Sequence, residues 1–201
     1  MHLLRALADS TAVAMESIRI VSELEEHVRR RTCDLQTAND EIRQLSLADE
    51  LTGLHNRRGF FLLADQARKA AIRLHKSVFL LFIDADGLKT VNDSLGHDAG
   101  DDMLRKLAEV LRCTFRKSDI VARLGGDEFC VFGMHGDPDP TAAKHRLDAA
   151  IAAFNVSHNA PYQLAASSGI FSFAAEDNRS LEEVVARADK AMYEEKRARR
   201  R

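Results

Sequence analysis

The residues of this chain best suited to chemistry are carboxylates placed where strands end. In Arg123-Leu124-Gly125-Gly126-Asp127-Glu128-Phe129, two glycines are followed directly by two acids. Ile120, Val121, Ala122 and Leu124 lead into the glycines, and Phe129, Cys130, Val131 and Phe132 follow, so the spacing predicts a β-hairpin with the acids at its tip. Neighbouring strand residues point to opposite faces, so Asp127 and Glu128 cannot share one solvated face, and a divalent cation is a suitable partner for one of them. A Gly-Gly-Asp turn followed by Glu is also an ordinary hairpin tip, and the pattern needs an answering group elsewhere. Asp84 is that group: it closes the run Val78-Phe79-Leu80-Leu81-Phe82-Ile83, which is apolar on both faces as a central strand should be. Strand-end and hairpin-tip carboxylates facing one another suit Mg2+, which takes one or two carboxylates plus substrate phosphates. With two ions, such acids could lower the pKa of an attacking hydroxyl and neutralise charge on a phosphoryl group. Just beyond Asp84, Gly87-Leu88-Lys89 can offer backbone N–H groups to phosphate oxygens.

The elements that must position these groups follow from periodicity. A helix is predicted from near Arg57 to about His75, then the Val78–Ile83 strand. A second helix runs from Asp101 to about Arg116, with Met103, Leu104, Leu107, Val110 and Leu111 at helical spacing. After the hairpin, Pro138 and Pro140 break the chain, and a helix of about 15 residues carries Ala142, Leu147, Ile151 and Phe154. Leu164 to Phe173 reads as another strand. Leu181 to about Arg199 reads as a closing helix with Val184, Val185, Ala188 and Met192 inward. Helices alternating with strands, with one hairpin, give an α/β domain spanning 48–201.

Residues 1–47 form a separate unit. From about residue 3 to residue 47 there is no Pro or Gly, and Leu7, Ala14, Val21, Val28, Leu35 and Ile42 recur every seven positions. A helix of that length extends roughly 65 Å and exceeds what the domain could bury, so the expectation is a parallel coiled-coil homodimer. The alternative is a single amphipathic helix lying on a neighbouring domain. The second seam is interrupted by Ser10, Ser17 and Arg31, which suits a helix that signals by changing its pairing.

Composition removes several function classes. The chain of 201 residues is 45% hydrophobic and 30% charged with net charge −2, which gives no nucleic-acid footprint beyond the basic stretch from Lys196 to Arg201. No apolar run approaches a bilayer span and no signal-peptide pattern opens the sequence, so no membrane partner and a cytoplasmic location are expected. Cys33, Cys113 and Cys130 lack metal-ligand spacing, and Cys130 reads as a small core residue. P-loop and Rossmann glycine motifs are absent, as is a Ser-His-Asp order.

RLGGDEF, preceded by DELTGLHNRR and DADGLKTVNDSLGHDAGD, resembles the GGDEF-domain family of diguanylate cyclases from about Asp49 to the C-terminus. The resemblance implies a fold like the polymerase palm and nucleotidyl cyclases, with a central sheet flanked by helices. It implies condensation of two GTP into cyclic di-GMP with release of pyrophosphate, one GTP per subunit of a homodimer. It makes Asp84 and Asp127 ligands of Mg2+, or of Mn2+, with the Ala85 carbonyl as a further contact. Glu128 becomes the second acid, helping the 3′-hydroxyl lose its proton. Gly87, Leu88 and Lys89 fall at the phosphate turn, and Lys196 and Arg200 match positions that hold the triphosphate, where a solvated basic tail is the bland alternative.

Asn92 and Asp101 match the guanine-reading positions. An Asp accepting from guanine N1–H and N2–H2 discriminates against adenine, and a lost buried partner costs ~1–3 kcal/mol. On residue type alone, Asn92 reads as a turn residue and Asp101 as a helix N-cap. Arg116-Lys117-Ser118-Asp119 resembles the family's RxxD site, where product binds and inhibits; Arg146 from a neighbouring subunit would complete it. Residues 3–30 are similar to the final helix of GAF-type sensor domains, which implies an upstream sensor missing from this sequence. Two positions depart from the family pattern: Leu88 stands where many members have Phe, and Arg199-Arg200-Arg201 replaces the usual Gly-Arg-Asn. A non-catalytic GTP or cyclic di-GMP receptor signalling through the coiled coil is the rival function.

Overall fold

In the computed structural model, residues 27, 29–32, 46–134 and 141–199 are described. His27 and residues 29–32 are helical. The remainder of the expected coiled coil, the segment carrying Pro138 and Pro140, and Arg200 lie outside the described residues.

From Leu47 onward the chain forms one unit built on a four-stranded, wholly antiparallel sheet in the order β2-β3-β1-β4. The strands are β1 (Ser77–Ala85), β2 (Ile120–Gly125), β3 (Glu128–Met134) and β4 (Ala166–Ala174). The helices are α1 (Arg57–Arg73), α2 (Leu88–Leu95), α3 (His97–Thr114), α4 (Ala142–Ser157) and α5 (Leu181–Arg199).

The continuous apolar run of β1 is explained by cover on both faces, here within an antiparallel sheet. Val78, Leu80 and Phe82 pack with Phe60 of α1 and with Val184, Ala188 and Met192 of α5. Phe79, Leu81 and Ile83 face the opposite way, toward Met103, Leu107 and Leu111 of α3 and Leu147, Ile151 and Phe154 of α4. Cys130 is buried on the first of these faces, as its apolar neighbours require. Each fully buried large side chain of this kind contributes ~1.5–3 kcal/mol.

Three local arrangements fix the ends of the elements that carry the acids. Asn56 caps α1, its side chain accepting from the Gly59 N–H at 2.9 Å, and the preceding segment hooks onto the edge of β2. There His55 N–H donates to the Val121 carbonyl at 3.2 Å and Arg123 N–H to the His55 carbonyl at 2.8 Å, which covers an otherwise open sheet edge. At the hairpin, Gly126 has φ +50° whereas Asp127 has no positive φ, the sign pattern of a II′ turn, and a register shift between Arg123 and Gly125 bulges the strand beside it. On the other side of β1, a Cβ on Gly169 would lie 2.1 Å from the Met192 amide nitrogen and 2.4 Å from the Ala188 carbonyl oxygen. Glycine at that point lets α5 lie directly on β4, with Lys196 one turn beyond Met192.

Among the described residues, no helix is long and apolar enough to cross a membrane.

Candidate active site

The antiparallel register brings the strand-end acid and the hairpin acids together. Asp84 of β1 stands opposite Glu128 of β3 on one side and Ser167 of β4 on the other. The Ala85 N–H donates to the Asp127 carbonyl oxygen at 2.9 Å, which fixes the hairpin tip to the end of β1. Asp127 lies in the turn itself, half-buried, and Glu128 begins β3 with its side chain exposed.

Negative charge concentrates here. Partial loss of water around the Glu128 carboxyl, then the nearby Asp127, Asp189 and Asp84 carboxylates, push its pKa above the ordinary value of 4.5, with Arg57 opposing. Lys196 reaches across from α5, its Nζ donating to Asp84 Oδ1 at 2.6 Å and lying 2.9 Å from Asp86 Oδ1. Burial alone would lower the lysine's pKa, but the Asp84 and Asp86 partners outweigh it and hold it above 10.5. Asp86 is held in turn by the Ser167 hydroxyl, which donates to its Oδ2 at 2.8 Å.

Among the described residues no three His, Cys, Asp or Glu side chains form a ready-made metal cage. The donor set nevertheless fits a hard cation that shares its shell with phosphate. The carboxylates offer oxygen donors, two acids face each other across paired strands, and loss of water together with like-charge crowding raises Glu128.

Gly87 adopts φ +81° and starts α2, so the turn of Gly87, Leu88 and Lys89 is a helix N-terminus. Its first amide hydrogens have no partner within the helix, as an anion-binding turn requires, since the first helical bond at this end is from Val91 N–H to the Gly87 carbonyl at 3.0 Å. Leu88 in place of Phe leaves this backbone arrangement intact and packs its side chain against the α3 side of the core.

Several sequence readings change. Asn92 lies inside α2 rather than in a turn, and Asp101 lies in the second turn of α3, whose N-cap is Gly96; neither bland reading of these residues fits. The helix predicted to open at Asp101 opens at His97, because a single Gly96 with φ +88° separates α2 from α3. Lys196 is bonded to the strand-end acids and does not belong to a solvated basic tail.

The RxxD turn is closed on itself. Arg116 N–H donates to Asp119 Oδ2 at 3.0 Å and Asp119 N–H to the Arg116 carbonyl at 2.9 Å. Burial raises the Asp119 pKa, with the Arg116 and Arg146 cations opposing. Arg146 of the same chain stands over the Phe115 ring at 5.9 Å, and its charge acts on Asp119. A cleft of about 240 Å³ adjoins it, lined by Leu54, His55, Arg112, Phe115, Arg116 and Asp119.

The quoted motifs contain residues whose work was not assigned from sequence. Asp49 and Arg123 form a clasp, Nη1 of Arg123 lying 3.2 Å from Asp49 Oδ1, while Nε and Nη2 donate to the Gly126 carbonyl at 2.9 and 2.7 Å. Burial pushes Asp49 up, but bonds from the Thr52 hydroxyl and amide and the Arg123 guanidinium outweigh it and hold the carboxyl below 3.8. Asp86, Arg57 and Asp189 were missed as well. Asp86 was legible as a second acid two residues after Asp84; the others carried no local signal.

The profile of the family described as "Diguanylate cyclase, GGDEF domain" matches residues 46–201. The chain belongs to the GGDEF-domain family. The chain is 38% identical over 183 residues to the bifunctional diguanylate cyclase/cyclic di-GMP phosphodiesterase MucR of Pseudomonas aeruginosa, covering 88% of this chain and 26% of the relative. It is 37% identical over 164 residues to the diguanylate cyclase DgcP of the same organism, covering 79% of this chain and 24% of the relative. The chain thus spans about a quarter of the length of these two relatives. Among solved structures, the GGDEF domain of DgcB from Caulobacter crescentus in complex with c-di-GMP superposes with TM-score 0.67 at 26% identity, covering 76% of this chain and 91% of that one.

Proposed function

We propose that this GGDEF domain is an active diguanylate cyclase that condenses two GTP into cyclic di-GMP and two pyrophosphates at the interface of a homodimer. The observation that carries the reading is the convergence of Asp84, Asp127 and Glu128 at one sheet end beside the open amides of α2. The named relatives MucR and DgcP support the same activity.

In each half-site Asn92 and Asp101 read the guanine, and the α2 amides with Lys89, Lys196 and Arg200 hold the triphosphate. Asp84, the Ala85 carbonyl, Asp127 and Glu128 would hold Mg2+ or Mn2+, which when bound neutralises phosphate charge and makes the 3′-hydroxyl more acidic. Glu128, at the start of β3 opposite Asp84, is placed to receive the 3′-hydroxyl proton. The 3′-oxygen then bonds to the α-phosphorus of the partner's GTP, the α–β bridging bond breaks, and pyrophosphate leaves with the electron pair. Repetition with the roles exchanged closes the ring. A protomer alone holds half the reactants, so the N-terminal coiled coil and an upstream sensor serve to bring two domains face to face. Product bound at Arg116, Asp119 and Arg146 inhibits.

Incubating the purified chain with GTP and Mg2+ and weighing the products tests this. A chain that binds GTP yet makes no cyclic di-GMP at any protein concentration is a receptor instead.

A further inference from the structure

The glycines that admit close approach in this domain meet different neighbours. At Gly59 and Gly169 a Cβ would strike backbone atoms, the Leu47 carbonyl oxygen at 2.3 Å and the Met192 amide nitrogen at 2.1 Å, so glycine there serves packing. Gly100 is different. It is a buried residue within α3 and its φ is not positive, so no turn conformation requires it. Glycine inside a helix is less stable than alanine, because its unfolded backbone has more freedom to lose.

What forbids a Cβ at Gly100 is one polar side chain. The added atom would lie 1.9 Å from Asn92 Oδ1 and 2.9 Å from Asn92 Cγ, and the next atom is the flexible end of Leu88 at 3.2 Å. Backbone is not among these nearest atoms, so alanine at 100 could be accommodated by turning the Asn92 amide away. The helices would remain as they are, and the amide would lose its seat.

We propose that Gly100 is a specificity-determining position: by carrying no Cβ it lets the Asn92 amide seat against α3 beside Asp101, so that the two side chains meet one purine edge together. The proposal rests on the reading of Asn92 and Asp101 as guanine contacts. It makes Gly100 a positioning residue, acting on the nucleotide only through Asn92. The signature is a loss of guanine affinity without a loss of stability, since helix propensity alone favours alanine at this point.

The test is a double-mutant cycle on the full chain with Gly100→Ala, Asn92→Ala and both together. Binding of guanosine 5′-[α,β-methylene]triphosphate and of its adenosine counterpart is measured calorimetrically with Mg2+, alongside melting temperature. Asn92→Ala and Gly100→Ala should each weaken guanosine binding on the order of tenfold and narrow the preference over adenosine, as loss of a buried hydrogen-bond partner does. Gly100→Ala should melt at or above the wild-type temperature, and the double variant should bind no more weakly than Asn92→Ala alone. Wild-type affinity in Gly100→Ala overturns the proposal and leaves the guanine reading of Asn92 standing. An equal further loss in the double variant, or a lowered melting temperature, also overturns it, because Gly100 would then act through packing of α3. Wild-type affinity in Asn92→Ala removes the guanine reading and the proposal with it.

Discussion

Replacing Arg123 by alanine should loosen the Gly-Gly-Asp-Glu hairpin while leaving every acid in place. The Arg123 side chain is 13% exposed, and its guanidinium makes two bonds to the Gly126 carbonyl, at 2.9 and 2.7 Å, and a pair of contacts to Asp49 at 3.2 and 3.3 Å. Hydrogen bonds involving a charged group contribute ~1.5–3 kcal/mol each. Gly126 is exposed and regains water, and Asp49 keeps its two bonds from Thr52, so the net loss is about 2–3 kcal/mol. For a domain of this size that lowers the melting temperature by roughly 5–10 °C. The Gly126 carbonyl belongs to the residue before Asp127, so the tip also loses one of its anchors beside the Ala85 bond, and kcat should fall about 10- to 100-fold. Arg123→Lys should recover little, since an ammonium cannot fork between a carbonyl and a carboxylate. The Asp49 pKa is held down in the folded state, so its stabilisation is present above the ordinary value of 3.8 and is lost as pH falls through the lower folded value. The variant should therefore lose less stability than wild type on acidification. Differential scanning calorimetry at neutral pH and near pH 3, with steady-state rates, reads all three effects. A variant that melts within about 1 °C of wild type and turns over normally would refute the clasp as a positioning device.

Other outcomes follow from the same charges. Glu128→Gln should abolish synthesis yet raise the melting temperature, because it removes one member of the crowd formed with Asp127, Asp189 and Asp84; a lowered melting temperature would count against that crowding. Lys196→Met tests the ion pairs at 2.6 and 2.9 Å. The lysine's folded pKa is raised, so its stabilisation is full below 10.5 and disappears as pH rises through the folded value; the variant's melting curve should be flatter than wild type between pH 9 and 12. Arg116→Ala should keep basal synthesis and relieve inhibition by added cyclic di-GMP in a progress-curve assay; undiminished inhibition would remove the regulatory role of the RxxD turn.

Much of the fold was legible because its signals are local. The glycines of the hairpin, the unbroken apolar run of β1 and the helical i, i+4, i+8 spacing of Val184, Ala188 and Met192 each announce an element without outside help. Strand-end logic also predicted that Asp84 would face the hairpin acids, and the register places Asp84 opposite Glu128. Sequence did not show that every strand pairs antiparallel, because an apolar strand covered on both faces reads the same in either direction. It misplaced the start of α3, since Gly96 and His97 carry no capping side chain to mark it. The Asp49–Arg123 clasp and the Lys196 pairs with Asp84 and Asp86 join residues far apart in the chain. A charge in a single sequence shows its sign and not its partner. Gly100 belongs to the same class, as its constraint comes from a side chain on another helix.

The most direct measurement of the central claim is mass analysis of the products formed from GTP and Mg2+ by the wild-type chain and by Asp127→Ala, across a range of protein concentrations. The account predicts cyclic di-GMP with two pyrophosphates per molecule, a rate per chain that climbs with concentration as protomers pair, and no product from a folded Asp127→Ala. Unchanged GTP from the wild type, or equal synthesis by the two proteins, would contradict it.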